Sequence, residues 1–355
     1  MASQSSLNIP TSSSTVQVSI IDLTYDPLVP TGLLMGPPLK GLGKRTAVTY
    51  SFLVHHADAS GKGSDVIFDL GMSKNMYDYP PNTMLAIHAL GGNMHVDKYV
   101  DQVLKEHGVA VDRINAVIWS HAHPDHAGKF SRFSDRTKLV VGPGIKQAFF
   151  AGWPVLLEAP VMRGEFFGRK VEELALSQFN LEIGGLKALD YFGDGSFYIL
   201  SAPGHALGHL NALARTTEDT FIYFAGDSVD QLAILRALSP SDLSHYVHVP
   251  SRSCPGAALH ARSNYFLHRS EAPSLEKEAA ARETLAAVQR FDADDRVFVV
   301  PAHDTSIHGI LDLFPKTSND WHAKDLKKKG RFLFLGEPKH QETGSSGIGH
   351  SLSAV

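Results

Sequence analysis

A single cysteine, Cys254, stands in 355 residues, so no disulfide can close within the chain and no cysteine cluster can hold a metal. That usage suits a reducing compartment. A surplus of one charge is also missing. The 33 Lys and Arg nearly balance 37 Asp and Glu, leaving a formal charge of -4, without the basic face that marks a nucleic-acid surface. The local run Lys327-Lys328-Lys329 reads as a solvated helix end. No stretch is apolar for long enough to span a bilayer. Residues 1–15 are polar and Ser-rich and lack the basic start and apolar run of a secretory signal. They are expected to be a disordered leader, and the cytoplasm is the default location. No Gly-x-Ser-x-Gly elbow occurs, and Cys254 lies in a Gly- and Pro-bearing loop, so a serine or cysteine nucleophile finds no support.

What is present is an ordinary globular composition, 43% hydrophobic and 20% charged, in a chain long enough for a large core. Strand-like runs cover 16–23, 46–55, 64–70, 116–120, 138–141, 186–191, 196–200, 210–214, 220–225 and 296–300, each rich in β-branched or aromatic residues. Helices are expected over 95–106, stopped by Gly108, and over 274–290, with Ser274 as N-cap. The Gly- and Pro-rich stretch 27–44 reads as a long loop, and the Gly- and Ser-rich tail 336–355 as disordered. One domain, 16–335, remains between leader and tail. Strands in groups, then alternating with helices, are compatible with a sheet sandwich flanked by helices.

The unusual component is histidine, at 19 residues. Three of them and a carboxylate crowd into Ser120-His121-Ala122-His123-Pro124-Asp125-His126-Ala127-Gly128, directly after the buried strand Ala116–Ser120. A tight turn at a strand end can aim His121 and His123 one way, and Asp125 and His126 at a neighbouring point, so that one loop serves two cations. Chance would produce this run in about a few of every thousand such chains. Further donors follow other strands: His205 and His209 in Ala202-Pro203-Gly204-His205-Ala206-Leu207-Gly208-His209, Asp227 after Ala225-Gly226, and His303 after Pro301-Ala302. Taken singly, each is more readily a satisfied core histidine or a turn aspartate. All three appearing in this order after the cluster shifts the balance.

An H-x-H-x-D-H run followed by separate His, Asp and His donors resembles the metallo-β-lactamase superfamily, and the resemblance spans roughly 16–308. It implies an α/β (α+β) fold of the αββα type, a four-layer sandwich of two mixed sheets flanked by helices. It implies two zinc ions, with iron or manganese left open. His121, His123 and His205 would hold one, Asp125, His126 and His303 the other, and Asp227 would bridge them. Asp69 and His209 would support these ligands from behind. The expected reaction is hydrolysis by a metal-bridging hydroxide, with Asp125 holding it and shuttling its proton.

Among members of that superfamily, the layout looks most like the lactonase-type and fungal lactamase-like enzymes. The expected substrate is therefore a small cyclic ester or amide, met in xenobiotic detoxification or secondary metabolism. A thioester, of glyoxalase type or in polyketide release, is the alternative. Lactonases often carry a Tyr three residues after the bridging Asp, where this chain has Asp230. The insertion 142–185, with Phe149, Phe150, Trp153, Phe166 and Phe167, is expected to be mainly core with some residues walling the pocket. Loops 72–94 and 251–269, the latter with His260 and His268, are expected to border the site. The expected partner is a small molecule, with no nucleic acid or membrane, and homodimerisation is left open. A nuclease would want a basic face, a flavin-linked di-iron oxidoreductase a flavin domain. A non-catalytic binding protein would have no need of every ligand.

Overall fold

A computed structural model of the protein describes residues 7–23, 28–30, 44–46, 48–89, 96–236 and 275–336. Fourteen strands occur among them: β1 (Val16–Asp22), β2 (Leu28–Pro30), β3 (Lys44–Thr46), β4 (Tyr50–Ala57), β5 (Gly63–Phe68), β6 (Ile114–Ile118), β7 (Lys138–Val141), β8 (Val171–Glu173), β9 (Leu181–Ile183), β10 (Leu186–Asp190), β11 (Phe197–Ser201), β12 (Leu210–Arg215), β13 (Phe221–Phe224) and β14 (Val297–Val300). They form two six-stranded mixed sheets, ordered β1-β4-β5-β6-β7-β8 and β14-β13-β12-β11-β10-β9, and β2 pairs with β3 separately. The first sheet is parallel from β5 through β8. The second is parallel only at β13–β14.

The alternation of side chains along a strand explains the layering. In the first sheet, Val18, Phe52, Val54, Val66, Phe68, Ala116 and Ile118 face the second sheet and join its inner residues in one core. Their neighbours Ile21, Leu53, Ile67, Val117 and Leu139 face the other way, into a second cluster with Val100 and Leu104 of the helix Val100–Glu106. The outer face of the second sheet is covered by the helix Leu275–Ala293, whose Ala287, Val288 and Phe291 are buried. Phe291 lies 4.5 Å from Tyr223 of β13, ring centre to ring centre. Helix, sheet, sheet and helix therefore stack in the expected αββα order. Between the sheets, Phe224 stacks on Phe52 at 3.9 Å and meets Phe68 edge-on. Such aromatic pairs add about 0.5–1.5 kcal/mol beyond the area they bury, and they fix the strand ends that carry the polar residues described below.

Several sequence expectations change. Residues 7–15 are not a disordered leader: Leu7 is buried near Gly184 and Phe291, its carbonyl accepts from the Gly184 N–H, and Pro10 and Ser12 bond to Arg215 and Asp194. The apolar Leu7 and Ile9 give this otherwise polar segment a way to pack. The helix expected from 95 begins at Val100, because the Gln102 side chain caps the Tyr99 N–H and starts the helix there. The helix Pro81–Ala89 and the short edge strands β8 and β9 carry no clear period in so few residues. The tail, Cys254 and the loop 251–269 lie outside the described residues. Among the described residues, no helix is long and apolar enough to cross a membrane.

One buried ion pair joins three of these segments. Arg236 donates from Nε to Asp292 Oδ2 at 3.0 Å and from Nη2 to Asp292 Oδ1 at 2.9 Å, and from Nη1 to the carbonyls of Gly330 and Arg331. Burial opposes the charge on Asp292, but Arg236 outweighs it and holds the carboxyl below its usual range. Asp292→Ala would leave a buried, uncompensated guanidinium, so urea unfolding at pH 7 should show a loss of about 3–5 kcal/mol. A depressed carboxyl pKa stabilises above the unfolded value, about 3.9, and that contribution is lost as pH falls through the folded value. The gap between wild type and variant should therefore narrow at pH 3. Equal stabilities at pH 7 would count against the pair.

Candidate metal centre

The parallel strands β5 and β6 of one sheet, and β13 and β14 of the other, all end on the same edge of the sandwich, and the donor side chains follow directly. After Ile118 the chain passes Trp119 and Ser120 into a turn holding His121 and His123. A one-turn helix, Pro124–Ala127, then carries Asp125 and His126. Its proline occupies the first helical position, where no N–H is needed. His205 and His209 lie between β11 and β12, Asp227 three residues past β13, and His303 three residues past β14. Close backbone approach makes this possible at two glycines. A Cβ on Gly142 would fall 1.8 Å from the Gly208 carbonyl oxygen, and Gly226, at φ +48°, packs against His209 and Ser120 just before Asp227.

Two groups form. His121, His123, His205 and Asp227 make one, and Asp125, His126 and His303 the other, each with its ligand atoms close enough to share an ion. In the first, His205 Nε2 lies 3.2 Å from both His121 Nε2 and His123 Nδ1, which are 2.6 Å from each other. In the second, His126 Nε2 and His303 Nε2 are 3.2 Å apart, with Asp125 Oδ2 3.5 Å from the latter. Asp227 faces both. Its Oδ2 is 3.2 Å from His205 Nε2, and its Oδ1 is 3.1 Å from both His126 Nε2 and His303 Nε2.

The residues behind these groups set their orientation. Asp69, at the end of β5, sits at φ +60°, a strained backbone of the kind that collects at functional sites. Its Oδ2 lies 2.8 Å from His126 Nδ1, and its Oδ1 accepts from the Ser120 N–H at 2.6 Å. His303 Nδ1 is 2.8 Å from the Val48 carbonyl oxygen. His209 stands one step back: its Nε2 accepts the Asp227 N–H at 3.1 Å. Burial, with His205 nearby, pushes the His209 pKa down to about 3, so it is a neutral ring that can accept that bond.

The donor set fits divalent cations. Zinc binds imidazole nitrogen at about 2.0–2.1 Å, which places two nitrogens on one tetrahedral ion about 3.3 Å apart. Three of the four ring-to-ring separations above are 3.2 Å, and the His121–His123 pair is tighter. Asp227 Oδ1 is buried with no N–H aligned to donate to it, despite two ring nitrogens at 3.1 Å. Electrostatics make the same demand. Burial opposes charge on Asp227, yet His126, His303 and His205 hold its carboxyl well below the usual range. Burial likewise opposes charge on His303, but Asp227 and Asp125 raise its pKa to about 9. The carboxylates thus favour protons on His126 and His303, the positive charge that a bound cation would replace.

Around the centre, the insertion is mostly core. Phe166 is buried and stacks on Phe150 at 4.0 Å, next to Trp119. Phe149 and Phe150 pack on the same cluster, and Trp153 is half-buried. Phe167 is exposed beneath the Arg163 guanidinium. Asp230, at the position where the resemblance suggests a Tyr, is buried. The loop after β5 does border the metal loop: the Tyr79 hydroxyl accepts from the Ser73 N–H and donates to the Pro124 carbonyl. Tyr79, Val48 and Ser120 were not singled out from sequence. Tyr79 and Val48 act across long sequence separations or through a main-chain atom, and Ser120 through the direction its hydroxyl takes toward the next ring, and no spacing rule marks them.

The profile of the metallo-beta-lactamase superfamily matches residues 47–303. The chain is 34% identical over 350 residues to the gamma-lactamase FDB1 of Fusarium pseudograminearum, covering 93% of this chain and 84% of that one. It is 39% identical over 337 residues to the monooxygenase mpaDE of Penicillium roqueforti, covering 92% of this chain but only 38% of that protein, so it spans well under half of that relative's length. Among solved structures, an N-acyl homoserine lactone hydrolase with the product N-hexanoyl-L-homoserine at its catalytic metal centre superimposes with a TM-score of 0.55 at 14% identity, over 86% of this chain and 99% of that one. With that profile match and that relative, the chain belongs to the metallo-beta-lactamase superfamily and is a metal-dependent hydrolase.

Proposed function

We propose that the chain is a binuclear zinc hydrolase that opens a small cyclic ester or cyclic amide. The observation that carries this reading is the position of Asp227, one carboxylate with Oδ2 against His205 and Oδ1 against His126 and His303. His121, His123 and His205 would hold one zinc, and Asp125, His126 and His303 the other, with Asp227 shared between them. Five imidazoles and two carboxylates favour zinc over the harder, oxygen-seeking cations. Asp69 and His209 act on these ligands from behind, Asp69 through His126 and His209 through the Asp227 main chain. A low cysteine count fits a cytoplasmic enzyme, and xenobiotic detoxification or secondary metabolism would be its setting.

When bound, the zinc pair supplies Lewis acidity, which polarises a carbonyl and lowers the pKa of water toward neutrality. The chain's own residues supply the rest. Asp125 is partly exposed, at 22% of its side chain, and its carboxylate would take a proton from the attacking water and return it to the leaving oxygen or nitrogen. His209 and Gly226 hold the Asp227 backbone while the ring opens. Leu207, exposed beside the ligand loop and packed over Gly144, offers an apolar contact to the substrate. The gamma-lactamase relative supports an amide ring; the lactone hydrolase shares the fold.

Metal analysis of the purified chain should give two zinc ions, and a panel of lactones, lactams and thioesters should show turnover concentrated on the cyclic substrates. His121→Ala and Asp227→Ala should each lower it by more than the about 10–100-fold that loss of an outer partner costs. Full activity in both variants, or preference for an open-chain thioester, would refute the proposal. Asp69→Ala leaves His126 without its carboxylate partner. Competition against a chelator should show zinc affinity about 10–100-fold weaker. Unchanged affinity would remove Asp69 from the site.

A further inference from the structure

A ring that aims one nitrogen at a cation carries its proton on the other, and that proton needs an acceptor. His126 Nδ1 faces Asp69 Oδ2 and His303 Nδ1 faces the Val48 carbonyl, each at 2.8 Å. His121 presents Nε2 to His123, His205 and Asp227, so its proton sits on Nδ1. The atom beside that nitrogen is Ser120 Oγ, at 3.0 Å. The same oxygen lies 3.2 Å from His126 Nδ1. Ser120 is completely buried. Its N–H donates to Asp69 Oδ1, and its carbonyl accepts from the Leu210 N–H at 2.8 Å. Backbone bonds on both sides thus hold the hydroxyl where it is, between one ligand of each metal group.

We propose that Ser120 is a positioning residue whose hydroxyl accepts the His121 Nδ1 proton and so sets the tautomer and tilt of that ligand. The proposal rests on the reading of the two groups as metal subsites. A hydroxyl is a weaker acceptor than the carboxylate behind His126, which leaves the His121 group the more dependent on this single bond. Nothing in the ligand spacing requires a serine here. An alanine would fill the same backbone position and lack only the oxygen.

The test compares wild type, Ser120→Ala and Ser120→Thr, each loaded with zinc and then with cobalt(II). Zinc retained against graded chelator is counted by mass spectrometry, and the visible absorption of the cobalt forms reports ligand geometry. Thermal unfolding of the metal-free chains checks that each folds. Ser120→Ala should lose one equivalent at about 10–100-fold lower chelator concentration, with the second equivalent moved less and the cobalt spectrum altered. Ser120→Thr, which keeps the hydroxyl, should hold both. Retention of both equivalents by Ser120→Ala overturns the proposal, as does a loss in Ser120→Thr equal to that in Ser120→Ala, which would point to packing alone. A wild-type chain that takes up no cation overturns the metal reading itself, and so the two failures are told apart.

Discussion

A carboxylate taken out of water among ring nitrogens is the constraint around which the molecule is arranged. Asp227 lies between His205 on one side and His126 and His303 on the other, and an ion removed from water costs several kcal/mol unless it is paired. Its partners come from three separate loops, so the pairing exists only if two sheets hold their strand ends in register. The core between the sheets does this. Phe224, three residues before Asp227, is wedged between Phe52 and Phe68 of the facing sheet. The apolar interior and the polar edge are two consequences of the same strands.

Behind the donor atoms, three of the five rings meet a different kind of partner each. Asp69 contributes a carboxylate, Val48 a main-chain carbonyl and Ser120 a hydroxyl. These come from β5's end, the residues before β4 and the end of β6 respectively, so these three rings are tied to strands of the first sheet. The strained φ of Asp69 is the local cost of turning its carboxylate back onto both His126 and the Ser120 N–H. The substrate side is anchored less directly. The loop after β5 reaches the metal loop through the Tyr79 hydroxyl, and Lys129 ties it to the insertion by pairing with both Asp78 and Glu165.

Much of this is legible in the sequence. Apolar runs ending in a small residue and then a donor marked β6, β11, β13 and β14, since a strand buried on both faces must read as continuous hydrophobic sequence. Errors fell where the local signal was weak or the partner distant. Residues 7–15 look like a polar leader because only Leu7 and Ile9 mark them for packing, and their partners, Gly184, Asp194 and Arg215, lie some 180 to 200 positions along the chain. The aromatic insertion serves chiefly the outer cluster around Trp119 and Phe150.

The sequence by itself determined which atoms are available. It places three imidazoles and a carboxylate in one turn, with three further donors each behind an apolar strand, and that chemistry points to a cation whatever the fold. Only the tertiary structure decided that Asp227 turns one oxygen to each group and that His209 supports it rather than joining them. It also decided that Ser120 and Val48 receive the far side of two rings. The reason is that orientation belongs to packed pairs of strands and to main-chain atoms, and neither leaves a trace in the identity of a single residue.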